Sequence, residues 1–338
     1  TARGGACLLI SGNVRKNMEF VVFAGVLLLL FIFMIVQELI QTKNQEKLFK
    51  KYLRENYGKE PPKEYSLERF ARLGSYLERH KEEKQLDDIT WNDLGMDEVF
   101  RRIDRTYSAA GEEYLYYTLR NISCGREAME HLEEVVNWLQ EQEDIKVRIQ
   151  LLMKRLGHLG KYSLYDYLDN LDYLGERSNR KIVLGNLLYL PFLLLLFVQP
   201  AMGTIGIVLC MLWHIMTYFR EKKVIEPYII SFAYVLRLID VCEELEKQKI
   251  PVYRRELDEL REVLKSLREL RRGSYWVMAG NQGKIGGNPL DILADYLRMI
   301  LHLDIFQFNR MLEKLRKKTG QVETMLAITG YLDMAISV

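Results

Sequence analysis

Cysteine is scarce in this chain, and none of it is arranged for chemistry. Four cysteines (Cys7, Cys124, Cys210, Cys242) stand far apart in 338 residues, and no two have CxxC spacing. A zinc ribbon and a disulfide framework are thereby excluded, and a reducing compartment is the simplest setting. Seven prolines and 22 glycines leave no room for collagen-like or low-complexity architecture. Charge of one sign is lacking too: 48 Lys+Arg face 46 Asp+Glu, too balanced for a general nucleic-acid glue. A composition that is 49% hydrophobic excludes disorder. The five histidines (His80, His131, His158, His214, His302) show neither HExxH nor HxxxH spacing. No GxSxG occurs, and no cysteine has an obvious histidine partner. The glycine-rich stretch Gly280–Gly287 is not a P-loop, because Lys284 is followed by Ile285 and no strand precedes it. It reads as a loop between helices.

What is present is apolar sequence, unevenly spread. No charged residue lies between Phe20 and Gln37, and none lies in the 38 residues from Ile182 to Phe219. Eighteen helical residues rise ~27 Å, close to the hydrocarbon thickness of a bilayer. Three transmembrane helices are therefore expected: one at 18–41, and a hairpin at 182–219. The hairpin divides into 182–198 and 202–219 around the turn-like Gln199-Pro200-Ala201-Met202-Gly203. Arg177, Arg180 and Lys181 precede it, Arg220, Lys222 and Lys223 follow it, and its tip is uncharged. The positive-inside rule puts both flanks in the cytoplasm and the tip outside. Residues 1–17 read either as a translated upstream extension, with Met18 the true start, or as a short cytoplasmic tail. Asn186 and His214 are the polar intruders in the hairpin, at matching depth, so a structural hydrogen bond between them is expected.

The remainder reads as helix throughout, in a linker (42–84) and two core parts (85–180 and 220–338), with Pro61-Pro62 breaking the helix that leaves the first membrane segment. Apolar residues recur at helical spacing in Met129, Leu132, Val135, Val136 and Leu139, and in the seam Leu257, Leu260, Leu264, Leu267. Another stripe runs through Ile292, Tyr296, Leu297, Ile300 and Leu303. No stretch alternates as a strand would, so the expected fold class is all-α. Asp87-Asp88 and Asp97-Glu98 read as cap charges. Two basic clusters, Arg101-Arg102-Arg105 and Arg268-Arg271-Arg272, are candidate phosphate contacts, but interleaved acids favour a solvated face.

One segment has a distinctive pattern. In Thr106-Tyr107-Ser108-Ala109-Ala110-Gly111-Glu112-Glu113-Tyr114-Leu115, the positions Thr106, Ser108, Gly111 and Leu115 resemble a Thr-x-Thr-x-x-Gly-x-x-x-Leu run. That run opens the helical core, or lever, of the DNA mismatch-repair MutS family. Near the end, Gly330-Tyr331-Leu332-Asp333 resembles the family's Gly-x-Leu-Asp helix, which leads into an ATPase domain. The resemblance is closest to membrane-anchored MutS-like proteins of Gram-positive bacteria. It implies a discontinuous lever interrupted by the hairpin, a multi-pass protein of the bacterial cell membrane, and soluble parts in the cytoplasm. It also implies ATP and magnesium only in a domain following Val338, with no cofactor, metal or catalytic residue in this chain. Besides the lipid bilayer, a homodimer, DNA and an unidentified protein are the candidate partners. The family's mismatch-reading domain has no room before Leu86, which leaves a non-enzymatic membrane scaffold as the alternative.

Overall fold

The computed structural model describes residues 2–59, 65, 67–82, 84–122, 125–159, 162–270 and 289–338. They fall into two units, residues 1–56 with 284–294 and residues 57–283 with 295–338. The first unit holds helix α1 (Ala2–Glu55). Its apolar middle includes Leu29, Leu30, Ile32 and Phe33, all exposed. Its last turns are charged, with Lys50 paired to Glu46 at 2.6 Å. The side chains of residues 2–24 lie outside the described ones, and so does much of the first expected membrane segment.

The second unit runs through α2 (Leu67–Arg79), α3 (Asp88–Asp93), α4 (Met96–Ile103), α5 (Ala109–Arg120), α6 (Arg126–Glu141), α7 (Glu143–Leu156) and α8 (Leu164–Asp169). It continues through α9 (Arg180–Leu187), α10 (Tyr189–Val198), α11 (Pro200–Glu246) and α12 (Arg254–Leu267). It ends with α13 (Pro289–Leu301), of which residues from Asp295 belong here, then α14 (Leu303–Arg316) and α15 (Thr319–Ser337). No strand occurs among the described residues; an isolated bridge joins Gln85 to Asn121. The fold is all-α.

Local chemistry sets the boundaries. Asp87 caps α3 by accepting from the Thr90 N–H at 2.7 Å, the cap role its sequence suggested. Ser108 caps α5 through the Gly111 N–H at 3.0 Å, and Ser163 with Asp166 forms a capping box on α8. Pro191 has no N–H to give the Leu187 carbonyl, and the helical path breaks at Leu188, between α9 and α10. Gln199 alone then turns the chain, because Pro200 takes the first position of α11, where its fixed φ suits a helix start. The expected five-residue turn is thus one residue, and Gly203 lies inside the helix. A second expectation also changes. Tyr296 and Leu297 are exposed, and the buried positions of that stretch are taken by Arg298 and His302.

α11 is 47 residues long, about 70 Å at the usual helical rise. Its first half pairs with α10, and its second half runs through the core of the unit. There Phe232, Leu238, Val241 and Leu245 join Ile149 and Met153 of α7, Leu257, Leu260 and Leu264 of α12, and Met325 and Leu332 of α15. Residues before and after the hairpin therefore share one core. A smaller aromatic cluster joins Leu73, Trp91, Phe100, Leu115, Tyr116 and Met334. Among the described residues, Arg180–Val198 and Pro200–Glu246 are the helices long and apolar enough to cross a membrane.

Candidate functional site

The motif segments that lie more than 200 positions apart in sequence meet in space. Asp333, on α15, is 1% exposed. Its carboxylate accepts from the backbone N–H of Tyr107 (3.0 Å), the backbone N–H of Ser108 (2.8 Å) and the Ser108 hydroxyl (2.6 Å). It therefore sits at the N-terminus of α5, where the helix dipole favours an anion. Two glycines permit this approach. A Cβ on Gly111 would lie 2.7 Å from Asp333 Cβ, and one on Gly330 would lie 2.6 Å from the Ala110 carbonyl oxygen. Thr106 donates to Asp104 at 2.6 Å, and Leu115 and Leu332 are buried beside this junction. The end of α15 is tied down as well: the Ser337 hydroxyl donates to the Ile103 carbonyl at 2.6 Å and accepts from the Arg105 N–H at 2.7 Å.

Behind the junction lies a buried charge network. Glu112 is fully buried and takes Arg69, Arg72 (2.8 Å) and His158 (2.9 Å) on one carboxylate. Asp104, also fully buried, accepts from Tyr65. Glu113 accepts from the Ser163 hydroxyl at 3.0 Å. Burial pushes its carboxyl up to about 8, against the lowering effects of the Ser163 bond and the Arg72 charge. Sequence reading missed these carboxylates, since charges on a helix are usually solvated. The available signal was Glu112 and Glu113 one turn on from the apolar Ala109, within a core-facing helix.

A second feature lies at the charged end of the hairpin. A cavity of about 670 Å³ opens there between α9, α11 and α14. Arg177, Arg180, Lys181 and Arg220 line it, with His214, His302 and Asn309 deeper in the fold. Arg177 is held by Glu221 at 3.3 Å, whereas Arg180, Lys181 and Arg220 form no ion pair among the described residues. His302 has φ 53°, a left-handed turn between α13 and α14. Burial and the neighbouring His214 push its imidazole down to about 4, so it is neutral. His302 Nε2 lies 3.3 Å from Thr217 Oγ1, whose hydroxyl is also within hydrogen-bond reach of the carbonyls of Trp213 and His214. His302 Nδ1 and Asn309 Oδ1 are buried and have no hydrogen-bond partner among the described residues.

No family model, curated protein or solved structure matches the chain. The site residues named from the sequence therefore stand on geometry alone. Asn186 and His214 lie on facing helices, but their hydrogen bonds go elsewhere. The Asn186 amide donates to the Leu301 carbonyl at 3.0 Å, and His214 Nδ1–H donates to the Cys210 carbonyl at 2.9 Å. The reason is packing: His214 Nε2 lies against Gly185, 3.1 Å from where a Cβ would stand. Of the basic clusters, Arg101 stacks over the Phe70 ring and Arg102 is exposed. Arg105 instead donates to the carbonyls of Gly58, Lys59 and Ser337, bracing the chain rather than facing solvent. Arg268 is exposed just past α12, while Arg271, Arg272 and Gly280–Gly287 lie outside the described residues. No group of three or more His, Cys, Asp or Glu is placed to hold a metal among the described residues.

Proposed function

We propose that this chain is a membrane-anchored helical lever, in which α9, α10 and the first half of α11 form a membrane hairpin and the second half of α11 carries its position into the core. One observation carries the reading. α11 runs unbroken from a half whose large apolar side chains are exposed into a half whose apolar side chains are buried. Phe197 is 89% exposed at the tip and Met216 66% on α11, yet Leu238 and Val241 are fully buried further along the same helix. So large an apolar surface is costly in water and is covered by lipid. Glycines support the hairpin: a Cβ on Gly203 would lie 2.6 Å from the Leu196 backbone nitrogen, and one on Gly206 would overlap the Phe192 ring. Small residues of this kind let membrane helices approach closely.

In the MutS-like reading, α5 and α15 are the two motif-bearing helices of the lever. Its support is the junction of Asp333 with Ser108 through Gly111 and Gly330. The apolar run of α1 supplies a third membrane segment in this proposal, and the bacterial membrane is its setting. DNA as ligand has less support, because Arg105 is spent on carbonyls. The test is extraction: the expressed chain should stay with membranes in alkaline carbonate and leave them only in detergent. Release by carbonate alone would overturn the anchor. A soluble chain recovered in a fixed ratio with another protein would favour the scaffold reading, with that protein covering the hairpin.

A further inference from the structure

We infer that the cavity at the charged end of the hairpin binds the headgroup of an anionic phospholipid, its phosphate held by Arg180, Lys181 and Arg220. The inference rests on the membrane reading above and names the ligand of its site. Two observations converge on it. The cations come from two helices, α9 and α11, and face one space with no ion pair of their own, which is an anion site built across the hairpin. At about 670 Å³ the cavity is large enough for a headgroup and far too large for a bare ion.

The position fits a lipid rather than a soluble phosphate. Gly185 and Ile182 line the cavity from the helix that starts the hairpin, and Trp213 lines it from the opposite side, half exposed. Tryptophan sits preferentially at headgroup level in membrane proteins. The three cations lie just below that level, where phosphates of the cytoplasmic leaflet stand. Glu176 and Glu221 also line the cavity. Arg177 neutralises Glu221, so the net charge facing the ligand stays positive. A zwitterionic choline headgroup brings a bulky cation into a cationic cavity and is disfavoured. Glycerol phosphate esterified to lipid brings the phosphate without that cation.

The test uses the full chain in neutral detergent, offered dioleoyl-phosphatidylglycerol and dioleoyl-phosphatidylcholine at equal concentration, with bound lipid counted by native mass spectrometry. Phosphatidylglycerol should exceed phosphatidylcholine by about tenfold or more. Lys181→Gln and Arg220→Gln should each weaken it about fivefold, the usual effect of one interfacial cation. Lys223→Gln, exposed on the same helix and outside the lining, should leave it unchanged. These side chains are exposed, so the variants should fold; raising salt on the unaltered chain gives an independent readout and should reduce the preference. Equal binding of the two lipids would overturn the inference. So would glycerol 1-phosphate binding as tightly as the lipid, since the cavity would then be a soluble-phosphate site. Flotation with vesicles of phosphatidylcholine alone separates the two levels. A chain that floats without lipid preference loses only the headgroup site, and a chain that does not float loses the anchor.

Discussion

At the scale of single residues, two glycines carry a sign that ordinary helix propensity would get wrong. Replacing a mid-helix glycine by alanine in an open position stabilises by roughly 0.5–1 kcal/mol. At Gly330 the added Cβ would meet the Ala110 carbonyl at 2.6 Å, a backbone atom that cannot swing away. Gly330→Ala should therefore destabilise, by about 1–3 kcal/mol as for overpacked cores, and thermal or denaturant unfolding in detergent would read it. A higher midpoint would mean that α5 and α15 are not in contact there. Glu113 gives a pH-dependent prediction. Its folded value, about 8, stands above its usual 4.5, so the folded state holds the proton more tightly. The stability it supplies is complete below about pH 4.5 and is lost as pH rises to about 8. The loss is at most ~1.4 kcal/mol per pH unit. Glu113→Gln should be more stable than the parent above pH 8 and should flatten the melting temperature between those limits. Matching pH profiles for the two proteins would show that Glu113 is ionised in the fold. None of this was legible in the sequence beyond the motif letters. Gly111 and Asp333 were visible as pattern, but the carboxylate reaching from one helix to cap another is a contact between residues more than 200 positions apart, which no local periodicity records.

At the scale of elements, periodicity did well where one face is buried by one core. Leu257, Leu260, Leu264 and Leu267 are all buried, as their alternating spacing requires. The uncharged stretch from 182 to 219 is a helical hairpin, as its two apolar halves suggested. The turn was misjudged because a Gln-Pro-Ala-Met-Gly string has turn composition, whereas proline at a first helical position starts a helix instead. The stripe at Tyr296 and Leu297 misled for a different reason: apolar spacing does not say which side faces the core, and Arg298 took that side. α11 carries one irregularity of its own. Pro227 stands inside it, past the last residue of the uncharged stretch, and denies an N–H to the carbonyl of Lys223. Interior prolines cost ~3 kcal/mol in a plain helix, less where neighbours adapt. Pro227→Ala should raise the unfolding midpoint by an amount worth about 1–2 kcal/mol, and should slow amide exchange at the residues next to 227. A lowered midpoint would mean that the proline itself is needed for α11 to reach its core contacts with α7 and α12.

At the scale of the whole molecule, the membrane proposal has a direction that charge alone decides. Six basic residues flank the hairpin (Arg177, Arg180, Lys181, Arg220, Lys222, Lys223), and Gln199 at the tip has no charged neighbour for many residues either way. Carrying six cations across a bilayer is far costlier than carrying an uncharged tip, so the proposal places the flanks in the cytoplasm and the tip outside. It places the shared core in the cytoplasm too, because α11 runs into it directly from that flank. Labelling can check this, and the fold says where to place the probe. Gly203 is unsuitable, because any side chain there strikes the Leu196 backbone. Gln199 is exposed and forms the turn itself. In a background with Cys7 and Cys124 changed to serine, the remaining Cys210 and Cys242 are buried. In that background, Gln199→Cys in intact cells should react with a membrane-impermeant maleimide. Lys223→Cys should react only after the membrane is opened. The reverse pattern would place the lever and its cationic cavity on the outer face, and reaction at both sites in intact cells would mean that the hairpin does not cross.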